Sequence, residues 1–364
     1  MSTDVGVVPL LTSDGARIRV LFLGGTGTIS ASCVRLAAAQ GMEVTVLTRG
    51  ANAAGRSLPA GVEQLTGDVS DDASLRAALG ERRFDAVVNF LSYDADDVAR
   101  WVALFSGRTG QYVHISSASI YAKPVLMTPI TESTPTGPNP PLPYATAKWR
   151  AEQALAAAHR DHGFPVTVIR PSHTYDDANP PLPGGWTDID RIARGAEIPV
   201  HGDGTSLWTL THAEDFAQGL VGLLGSARAI GETFHITGGD VLTWDQIYTL
   251  FASALGVEPR LVHVASEFYP VVAPEWFWSG EFVGDLGHSA VFDTAKIRRF
   301  VPSFAPVLTF ERAVRRMLDW RQAHPGSTGA DAATEEVLDR IVAAYHGARQ
   351  VFADHAPVLA ETPR

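Results

Sequence analysis

A glycine-rich turn between a short apolar run and a helical stretch constrains the fold of this chain more than any other feature. Residues 18–23 read Ile-Arg-Val-Leu-Phe-Leu, which is typical of a strand buried in a parallel sheet. Gly24-Gly-Thr-Gly27-Thr-Ile-Ser30 follows and opens a helix that is predicted to end near Gln40. A turn of this kind lets the backbone approach a pyrophosphate at a helix N-terminus. The third small position is Ser30 instead of glycine, and a glycine turn without a ligand is the alternative interpretation.

Strands and helices alternate up to about residue 171, which predicts an α/β fold with a doubly wound parallel sheet of the Rossmann type. Further strands are predicted over residues 44–48, 62–65, 84–90, 111–116 and 166–170. The helices between them are predicted over residues 72–79, 95–105 and 144–159. We expect right-handed crossovers between the parallel strands.

The pattern changes after Pro171, where a proline- and glycine-rich loop over residues 177–185 is followed by shorter, mixed elements. Strands are predicted over residues 232–236 and 260–264, and helices over residues 244–255, 310–322 and 332–353. Four regions are therefore expected: a flexible extension (1–16), a dinucleotide-binding Rossmann domain (17–175), a smaller α/β substrate-binding region with some segments returning to the sheet (176–323), and a C-terminal helical appendage (324–364).

Composition excludes several classes of function. The formal net charge is −11, and an acidic surface repels phosphate backbones, so nucleic acid is not an expected partner. Cys33 is the only cysteine, so no disulfide can form within the chain, and a reducing, cytoplasmic location is expected. No apolar run reaches the roughly 20 residues that span a membrane. The histidines lack the spacing of metal ligands, so no metal site is predicted.

The ends of the second and third predicted strands bear on the choice of dinucleotide. An acid that reads a ribose hydroxyl is expected near Thr48, but Arg49 follows instead and suits a 2′-phosphate. Asp68, followed by Val69, is placed to accept hydrogen bonds from an adenine edge, although a turn or helix-capping aspartate is an equally good interpretation. The expected cofactor is NAD(P): Arg49 favours NADP, whereas epimerase chemistry would favour tightly bound NAD.

Tyr144 and Lys148 form the pair with the clearest chemical implication. The chain has only three lysines, and one of them lies four positions after a tyrosine. On a helix this spacing puts both side chains on one face. A neighbouring ammonium favours the phenolate and lowers the pKa of a tyrosine from about 10. Ser116 and Ser117 end the fifth predicted strand, where a hydroxyl can hydrogen-bond the substrate oxygen on which Tyr144 acts.

The order of these motifs resembles the extended short-chain dehydrogenase/reductase superfamily, which comprises nucleotide-sugar epimerases, dehydratases and reductases. The resemblance covers about residues 18–323. It rests on the glycine turn, Asp68, Asn89-Phe-Leu, Ser116-Ser-Ala-Ser-Ile-Tyr121, Tyr144-x-x-x-Lys148 and Arg170-Pro-Ser-His-Thr-Tyr175. Leu47-Thr-Arg-Gly50, His212-Ala-Glu-Asp-Phe-Ala217 and His235-Ile-Thr-Gly-Gly-Asp-Val-Leu-Thr-Trp244 look like the NAD-dependent epimerase/dehydratase branch, which also includes chloroplast stem-loop RNA-binding relatives.

The resemblance implies roles for the matching residues. Ser117 would orient the substrate, Tyr144 would be the general acid/base, and Lys148 would bind the nicotinamide ribose and lower the pKa of Tyr144. His173 stands where the family pattern has asparagine. The expected cofactor-binding residues are Gly24, Gly27, Thr28, Ile29, Thr48, Arg49, Asp68, Val69, Phe90, Leu91, Ser92, Tyr144, Lys148, Pro171 and His173. The expected substrate contacts are Ser92, Ser117, Ser119, Tyr121 and His173.

One departure from the family pattern narrows the reaction. Ala118-Ser119 stand where nucleotide-sugar 4,6-dehydratases have Asp-Glu, and elimination of water needs that further acid/base pair. We therefore expect an NAD(P)-dependent epimerase or oxidoreductase that acts by hydride transfer on a sugar or nucleotide sugar. A reductase of a non-sugar secondary metabolite and a non-catalytic, RNA-binding relative are the alternatives. The family also implies a homodimer, packed through the helices that carry Trp101 and Trp149.

Overall fold

A seven-stranded parallel sheet organises the computed structural model, which describes residues 15–50, 57–327 and 329–355. The strands are β1 (Arg19–Leu23), β2 (Glu43–Thr48), β3 (Glu63–Thr66), β4 (Ala86–Asn89), β5 (Tyr112–Ile115), β6 (Val166–Pro171), β7 (His173–Tyr175), β8 (Glu197–His201), β9 (Leu207–His212), β10 (Thr233–Ile236), β11 (Val241–Thr243) and β12 (Arg260–Val264). The order across the main sheet is β10-β6-β5-β4-β1-β2-β3, with every neighbouring pair parallel. The predicted α/β class and doubly wound sheet are confirmed.

Helices lie between and around these strands. They are α1 (Ser30–Ala39), α2 (Asp72–Leu79), α3 (Ala95–Phe105), α4 (Pro143–His162), α5 (Trp186–Ala193), α6 (Ala213–Leu223), α7 (Trp244–Leu255), α8 (Tyr269–Val272), α9 (Phe277–Glu281), α10 (Ala295–Phe300), α11 (Phe310–Ala323) and α12 (Ala332–His355). Within the described residues, none of them combines the length and apolar character needed to cross a bilayer.

The first strand shows why both faces of the main sheet are covered. Val20 and Phe22 join a core with α1 and α6, while Leu21 and Leu23 join another core with α3 and α4. All four side chains are fully buried. A strand buried on both faces requires an unbroken apolar run, because successive side chains point to opposite faces. The segment Val20–Leu23 meets that requirement.

The direction in which the chain builds the sheet reverses at β1. This strand pairs with β2 on one side and β4 on the other, and Leu23 lies opposite both Leu47 and Asn89. The carboxyl ends of β1 and β4 therefore open a crevice, which is where ligands bind in open α/β sheets. The glycine turn lies at this crevice, and so does the segment that follows Asn89.

A third core lies outside the main sheet and is built by the C-terminal half of the chain. Trp244, Tyr248 and Phe251 of α7 pack there with Phe310 of α11. Two small sheets, ordered β11-β9-β7 and β12-β8, accompany this core. By contrast, β10 pairs with β6 and returns the chain to the main sheet. The C-terminal half of the chain thus contributes both to the third core and to the main sheet. The division into domains therefore stays a prediction.

The C-terminal helix, which we expected to be an appendage, is integrated with the third core. Ile341 is completely buried, and Leu338 is nearly so. Arg191 of α5 forms ion pairs with Glu335 and Asp339 of α12. An apolar face and a buried arginine thus fix the helix. The predicted extension over residues 1–16 lies almost entirely outside the described residues.

Candidate active site

The turn after β1 needs glycine for reasons of geometry. Gly24 has a φ of 79°, a conformation that other residues rarely adopt. Its N–H donates to the carbonyl of Leu47 over 3.1 Å, which fastens the turn to β2. A Cβ atom on Gly25 would lie 2.5 Å from a methyl carbon of Val46. The close approach of the turn to β2 therefore excludes side chains from this part of the loop.

Ser30, which stands at the position of the third glycine, stabilises the turn with its side chain. The Ser30 hydroxyl accepts a hydrogen bond from the N–H of Gly27 over 2.9 Å, and the side chain is buried. The serine thus folds back onto the turn. No described side chain caps the N-terminus of α1. The Ala31 N–H of its first turn donates to the carbonyl of Gly27, and the remaining N–H groups of that turn can face an anion such as a pyrophosphate.

A cavity of about 400 Å³ opens at the crevice, and we call it the cofactor cavity. Nine of the predicted cofactor-binding residues line it: Gly24, Gly27, Thr28, Ile29, Phe90, Leu91, Tyr144, Lys148 and Pro171. Glycine backbone without side chains, a helix N-terminus without a side-chain cap and a cavity of this size at the sheet edge fit a dinucleotide. The turn and α1 would hold its pyrophosphate, and Tyr144 and Lys148 would face its nicotinamide end.

Lys148 is buried and bonded to the backbone. Its ammonium donates to the carbonyl of Ser92 over 2.7 Å and to the carbonyl of Ile115 over 2.8 Å. These two bonds join the segment after β4 to the end of β5. Burial lowers the pKa of Lys148 to about 8, because desolvation disfavours the charged form.

The expectation that Lys148 lowers the pKa of Tyr144 does not hold in this structure. Burial raises the pKa of Tyr144 well above its usual value, and the nearby carboxyl groups of Glu281, when ionised, and of Asp285 add to the rise. A hydrogen bond with Ser117 opposes it. The Lys148 ammonium lies 5.8 Å from the centre of the Tyr144 ring and is engaged by two carbonyls. Tyr144 is therefore held as a neutral phenol.

Ser117 sits beside Tyr144 at the end of β5. Its hydroxyl lies 2.8 Å from the hydroxyl of Ser119 and accepts a hydrogen bond from the Ser119 N–H over 3.1 Å. This local turn, capped by the serine itself, fixes the direction of the side chain. The structure thus brings Ser117 and Tyr144 together, and the hydroxyl of Ser119 lies next to that of Ser117.

A second cavity, of about 250 Å³, adjoins the first, and we call it the substrate cavity. Ser117 and Tyr144 line both cavities. The walls of the substrate cavity also include Ser119, His173, Trp208, Trp278, Glu281 and Asp285. The side that fits a dinucleotide and the side that fits a small polar molecule consequently meet at the predicted catalytic pair.

His173 lines the substrate cavity and not the cofactor cavity, which does not support its predicted contact with the cofactor. Its Nε2 lies 3.1 Å from the carbonyl of Pro181. The ring makes edge contacts with Trp208, Trp244 and Trp278 at centroid distances of 5.8 to 6.2 Å. Burial lowers the pKa of His173, so the ring is a neutral, aromatic part of the wall.

Two carboxyl groups of the substrate cavity were not predicted. Glu281 ends α9, and Asp285 follows it in a π-helical turn over residues 282–286. Asp285 pairs with Lys123 over 2.6 Å, and both side chains are 8% exposed. Glu281 is also 8% exposed, and burial beside Asp285 raises its pKa to about 8. The available sequence signal was a pair of acids four residues apart within an aromatic segment.

A loop before α4 positions these carboxyls against Tyr144. The Asn139 side-chain amide donates to the carbonyl of Gly284 over 2.7 Å and to that of Ser119 over 3.5 Å. A Cβ atom on Gly280 would lie 2.5 Å from the carbonyl oxygen of Pro141. Glycine at this position therefore allows the segment over residues 277–286 to pack closely against the loop that contains Asn139 and Pro141.

The predicted substrate contact of Tyr121 is wrong. Tyr121 is 1% exposed and lines neither cavity. Its hydroxyl is hydrogen-bonded to the His235 ring and accepts from Arg170 over 2.8 Å. Arg170 in turn makes a buried ion pair with Glu152 over 2.6 Å. Tyr121 therefore belongs to a polar network between β6, β10 and α4, which a linear motif does not distinguish from a cavity wall.

Five other predicted contacts lie outside the cavity walls. Thr48 accepts hydrogen bonds from Gly50 and Gln64, Arg49 is exposed at the end of β2, and Ser92 is fully buried with only its carbonyl engaged by Lys148. The Asp68 carboxylate accepts from the N–H and hydroxyl of Ser70, which matches the turn interpretation. These bonds and the nearby Arg49 charge lower the pKa of Asp68. Val69 is half-buried beside it.

Comparison with curated proteins reveals relatives of several activities. The 2′-dehydrokanamycin reductase of Streptomyces kanamyceticus is 29% identical over 90% of this chain and 91% of its own length. The chloroplast stem-loop binding protein of 41 kDa b from Arabidopsis thaliana is 27% identical over 70% of this chain and 68% of its own. A dTDP-glucose 4,6-dehydratase of Streptomyces niveus is 29% identical over 62% and 74%, respectively.

Solved structures share the fold. The dTDP-glucose 4,6-dehydratase of Bacillus anthracis in complex with NAD aligns with a TM-score of 0.68 at 19% identity, covering 84% of this chain and 97% of that one. The UDP-glucose 4-epimerase of Thermus thermophilus in complex with NAD aligns with a TM-score of 0.67 at 19% identity, covering 84% and 100%.

The family model of the NAD-dependent epimerase/dehydratase family matches residues 20–237. That range contains the glycine turn, Ser117, Tyr144 and Lys148. The chain therefore belongs to this family and is an NAD(P)-dependent enzyme of the extended short-chain dehydrogenase/reductase type.

Proposed function

We propose that this protein is an NADP(H)-dependent oxidoreductase that interconverts a ketone and a secondary alcohol on a sugar. The observation that carries the proposal is the position of Ser117 and Tyr144, which line both the cofactor cavity and the substrate cavity. Lys148 lies behind them, bonded to two backbone carbonyls. A reacting oxygen placed between the serine and the tyrosine would meet two hydroxyl groups beside the nicotinamide end of the cofactor cavity.

The protonation of Tyr144 supports the reductive direction. A nicotinamide, when bound, supplies or accepts the hydride. In ketone reduction, Ser117 orients the carbonyl oxygen and Tyr144 donates its phenolic proton to that oxygen as the carbon receives the hydride. The product is an alcohol, and the tyrosinate then regains a proton from solvent. Tyr144 is protonated at neutral pH, as an ordinary tyrosine is, and its raised pKa keeps the proton donor in place.

Two further features support reduction over loss of water. The positions after Ser117 are Ala118 and Ser119, so the Asp-Glu pair of the 4,6-dehydratases is missing there. The relative that is matched over 90% of this chain is a reductase of a sugar-derived ketone, 2′-dehydrokanamycin. Arg49, exposed at the end of β2, supports NADP over NAD because a guanidinium suits a 2′-phosphate.

Dinucleotide binding and turnover test this function together. We expect micromolar binding of NADPH, weaker binding of NAD, and turnover of kanamycin with NADP⁺ or of its 2′-ketone with NADPH, followed by nicotinamide absorbance. Tyr144→Phe should lower turnover by roughly 10²–10⁴-fold without changing the Kd for NADPH. Tyr345→Phe on α12, which lines neither cavity, is the matched control.

The outcomes separate the alternatives. Purified protein that retains NAD and epimerises dTDP-glucose without net change in nicotinamide absorbance would indicate an epimerase. Binding of RNA without turnover would favour a function like that of the stem-loop binding relative, which the net charge of −11 disfavours. Unchanged turnover in Tyr144→Phe would remove Tyr144 from the acid/base role.

A further inference from the structure

The Glu281 carboxyl group is buried and has no protein partner among the described residues. It is 8% exposed, lines the substrate cavity and makes no hydrogen bond or ion pair there. Buried carboxyls are normally paired, because an isolated buried charge is costly. Glu281 is the last residue of α9, and the tight backbone contacts of this segment are made by the neighbouring Gly280 and Gly284.

Ionisation of Glu281 would leave the charge around the substrate cavity unbalanced. The carboxylates of Glu281 and Asp285 would then face one ammonium, that of Lys123, which already pairs with Asp285 over 2.6 Å. The Tyr144 phenol and the His173 ring, which also face the cavity, are both neutral near pH 7. A ligand that brings one positive charge would balance the set and give Glu281 a partner.

The aromatic wall favours the same ligand chemistry. Trp208 and Trp278 line the substrate cavity with Glu281, and each makes an edge contact with the His173 ring. Tryptophan faces attract cations, and they also pack against the apolar faces of sugar rings. The cavity volume of about 250 Å³ lies below the range of drug-sized sites, so it suits a small group such as one sugar ring.

We propose that the substrate cavity contains a subsite for a protonated amine, in which Glu281 accepts the ammonium and Trp278 forms the adjoining wall. The substrate class is therefore an amino sugar whose ketone or hydroxyl group reaches Ser117 and Tyr144. The subsite rests on the proposed function for the identity of the reaction, whereas its own ligand chemistry rests on Glu281 and its surroundings.

Proton release on binding follows from this assignment. Free Glu281 holds a proton at pH 7, because burial and Asp285 raise its pKa, and a bound ammonium would favour the carboxylate. An amine probe should therefore release up to about one proton per site near pH 7. A probe without a charged amine should release none from Glu281.

Paired probes test the subsite in the holoenzyme. Binding of kanamycin and of D-glucosamine is measured by titration calorimetry in the presence of NADPH, alongside their N-acetylated counterparts, in buffers of different ionisation enthalpy. We expect each amine to bind about tenfold or more tightly than its N-acetylated counterpart, as for a charge-assisted hydrogen bond. Glu281→Gln, which keeps the shape of the side chain, should abolish both the preference and the proton release.

The matched control is Glu267→Gln, the same change at an exposed glutamate outside both cavities. It should leave the preference intact. Equal binding of amine and N-acetylated probes by wild type, or a preference that survives Glu281→Gln, would overturn the subsite. The Kd for NADPH is measured in each variant, so loss of cofactor binding or of Tyr144-dependent turnover is recognised separately as a failure of the proposed function.

Discussion

At the scale of single residues, the groups that set the pKa of Tyr144 in the structure differ from those that the tyrosine–lysine motif predicts. The motif predicts an ammonium that draws the proton off a phenol. In the structure, Lys148 donates hydrogen bonds to the carbonyls of Ser92 and Ile115, and the acidic groups that raise the pKa of Tyr144 are the carboxyls of Glu281 and Asp285. These groups favour the neutral phenol. Tyr144 is thus prepared as a proton donor, which is the form that ketone reduction needs.

The unpaired Glu281 should make stability depend on pH. Its pKa is raised from 4.5 in the unfolded chain to about 8 in the folded protein, so the folded state holds a proton that the unfolded state loses between these values. Stability contributed by the protonated form is therefore present below pH 4.5 and is lost as the pH rises towards 8. Glu281→Gln removes this loss, and we expect the variant to exceed wild type by roughly 1–3 kcal/mol at pH 9.

Urea unfolding of both proteins at pH 5 and pH 9 measures this difference. Glu267→Gln, at an exposed position, should change stability little at either pH. A Glu281→Gln variant that is less stable than wild type at pH 9, or equally shifted at both pH values, would contradict the assignment of a destabilising buried carboxylate.

At the scale of elements, prediction succeeded where the signal is local. The apolar run of β1, the glycine turn and the amphipathic helices are each specified by adjacent residues, and their bounds agree with the structure to within a few positions. The site was predictable where one short motif supplies it, as in Ser117 and Tyr144. The short helix α9 and the turn after it were missed, because their position depends on contacts with the distant Asn139 loop.

The packing of α9 gives a test of that dependence. Gly280→Ala would place a Cβ atom 2.5 Å from the carbonyl oxygen of Pro141, so the segment carrying Glu281 and Asp285 must move. We expect the KM for the sugar substrate to rise by roughly tenfold or more, because a small displacement of positioning groups is costly to catalysis. The Kd for NADPH should not change, since the cofactor cavity lies on the other side of Tyr144.

Substrate and NADPH titrations of the same preparation separate the two effects. Gly347→Ala in α12 is the control, because a Cβ atom there meets nothing within 4 Å. A Gly280→Ala variant that binds NADPH more weakly but keeps its KM would show that α9 does not position the substrate cavity.

At the scale of the whole molecule, two cores enclose the main sheet and a third supports the substrate cavity. The alternation of strands and helices in the sequence predicted the doubly wound sheet that the first two cores enclose. It did not predict that α12 joins the third, because a helix that is apolar on one narrow face looks the same whether it packs on its own chain or not. Trp101, expected at a dimer contact, is fully buried against Phe105 within the chain. A homodimer therefore stays a prediction, and other residues would have to form its contacts.

Because α12 packs into the third core, weakening that packing should lower the stability of the protein. Ile341 is completely buried in the third core, and Ile341→Ala should lower the free energy of unfolding by about 2–5 kcal/mol. Val351→Ala on the same helix, at a side chain that is 59% exposed, should change it by less than about 0.5 kcal/mol. Denaturant unfolding of the two variants makes the comparison, and similar small losses would show that α12 is dispensable to the core.

The amide of Asn139 touches both the serine turn, through Ser119, and the acidic segment, through Gly284. Ser119 and Gly284 lie far apart in the sequence. Substitutions in the acidic segment could therefore reshape the substrate cavity while Ser117, Tyr144 and Lys148 stay as they are. Asn139 is the residue that such variants would need to keep, because one side chain holds the two segments together.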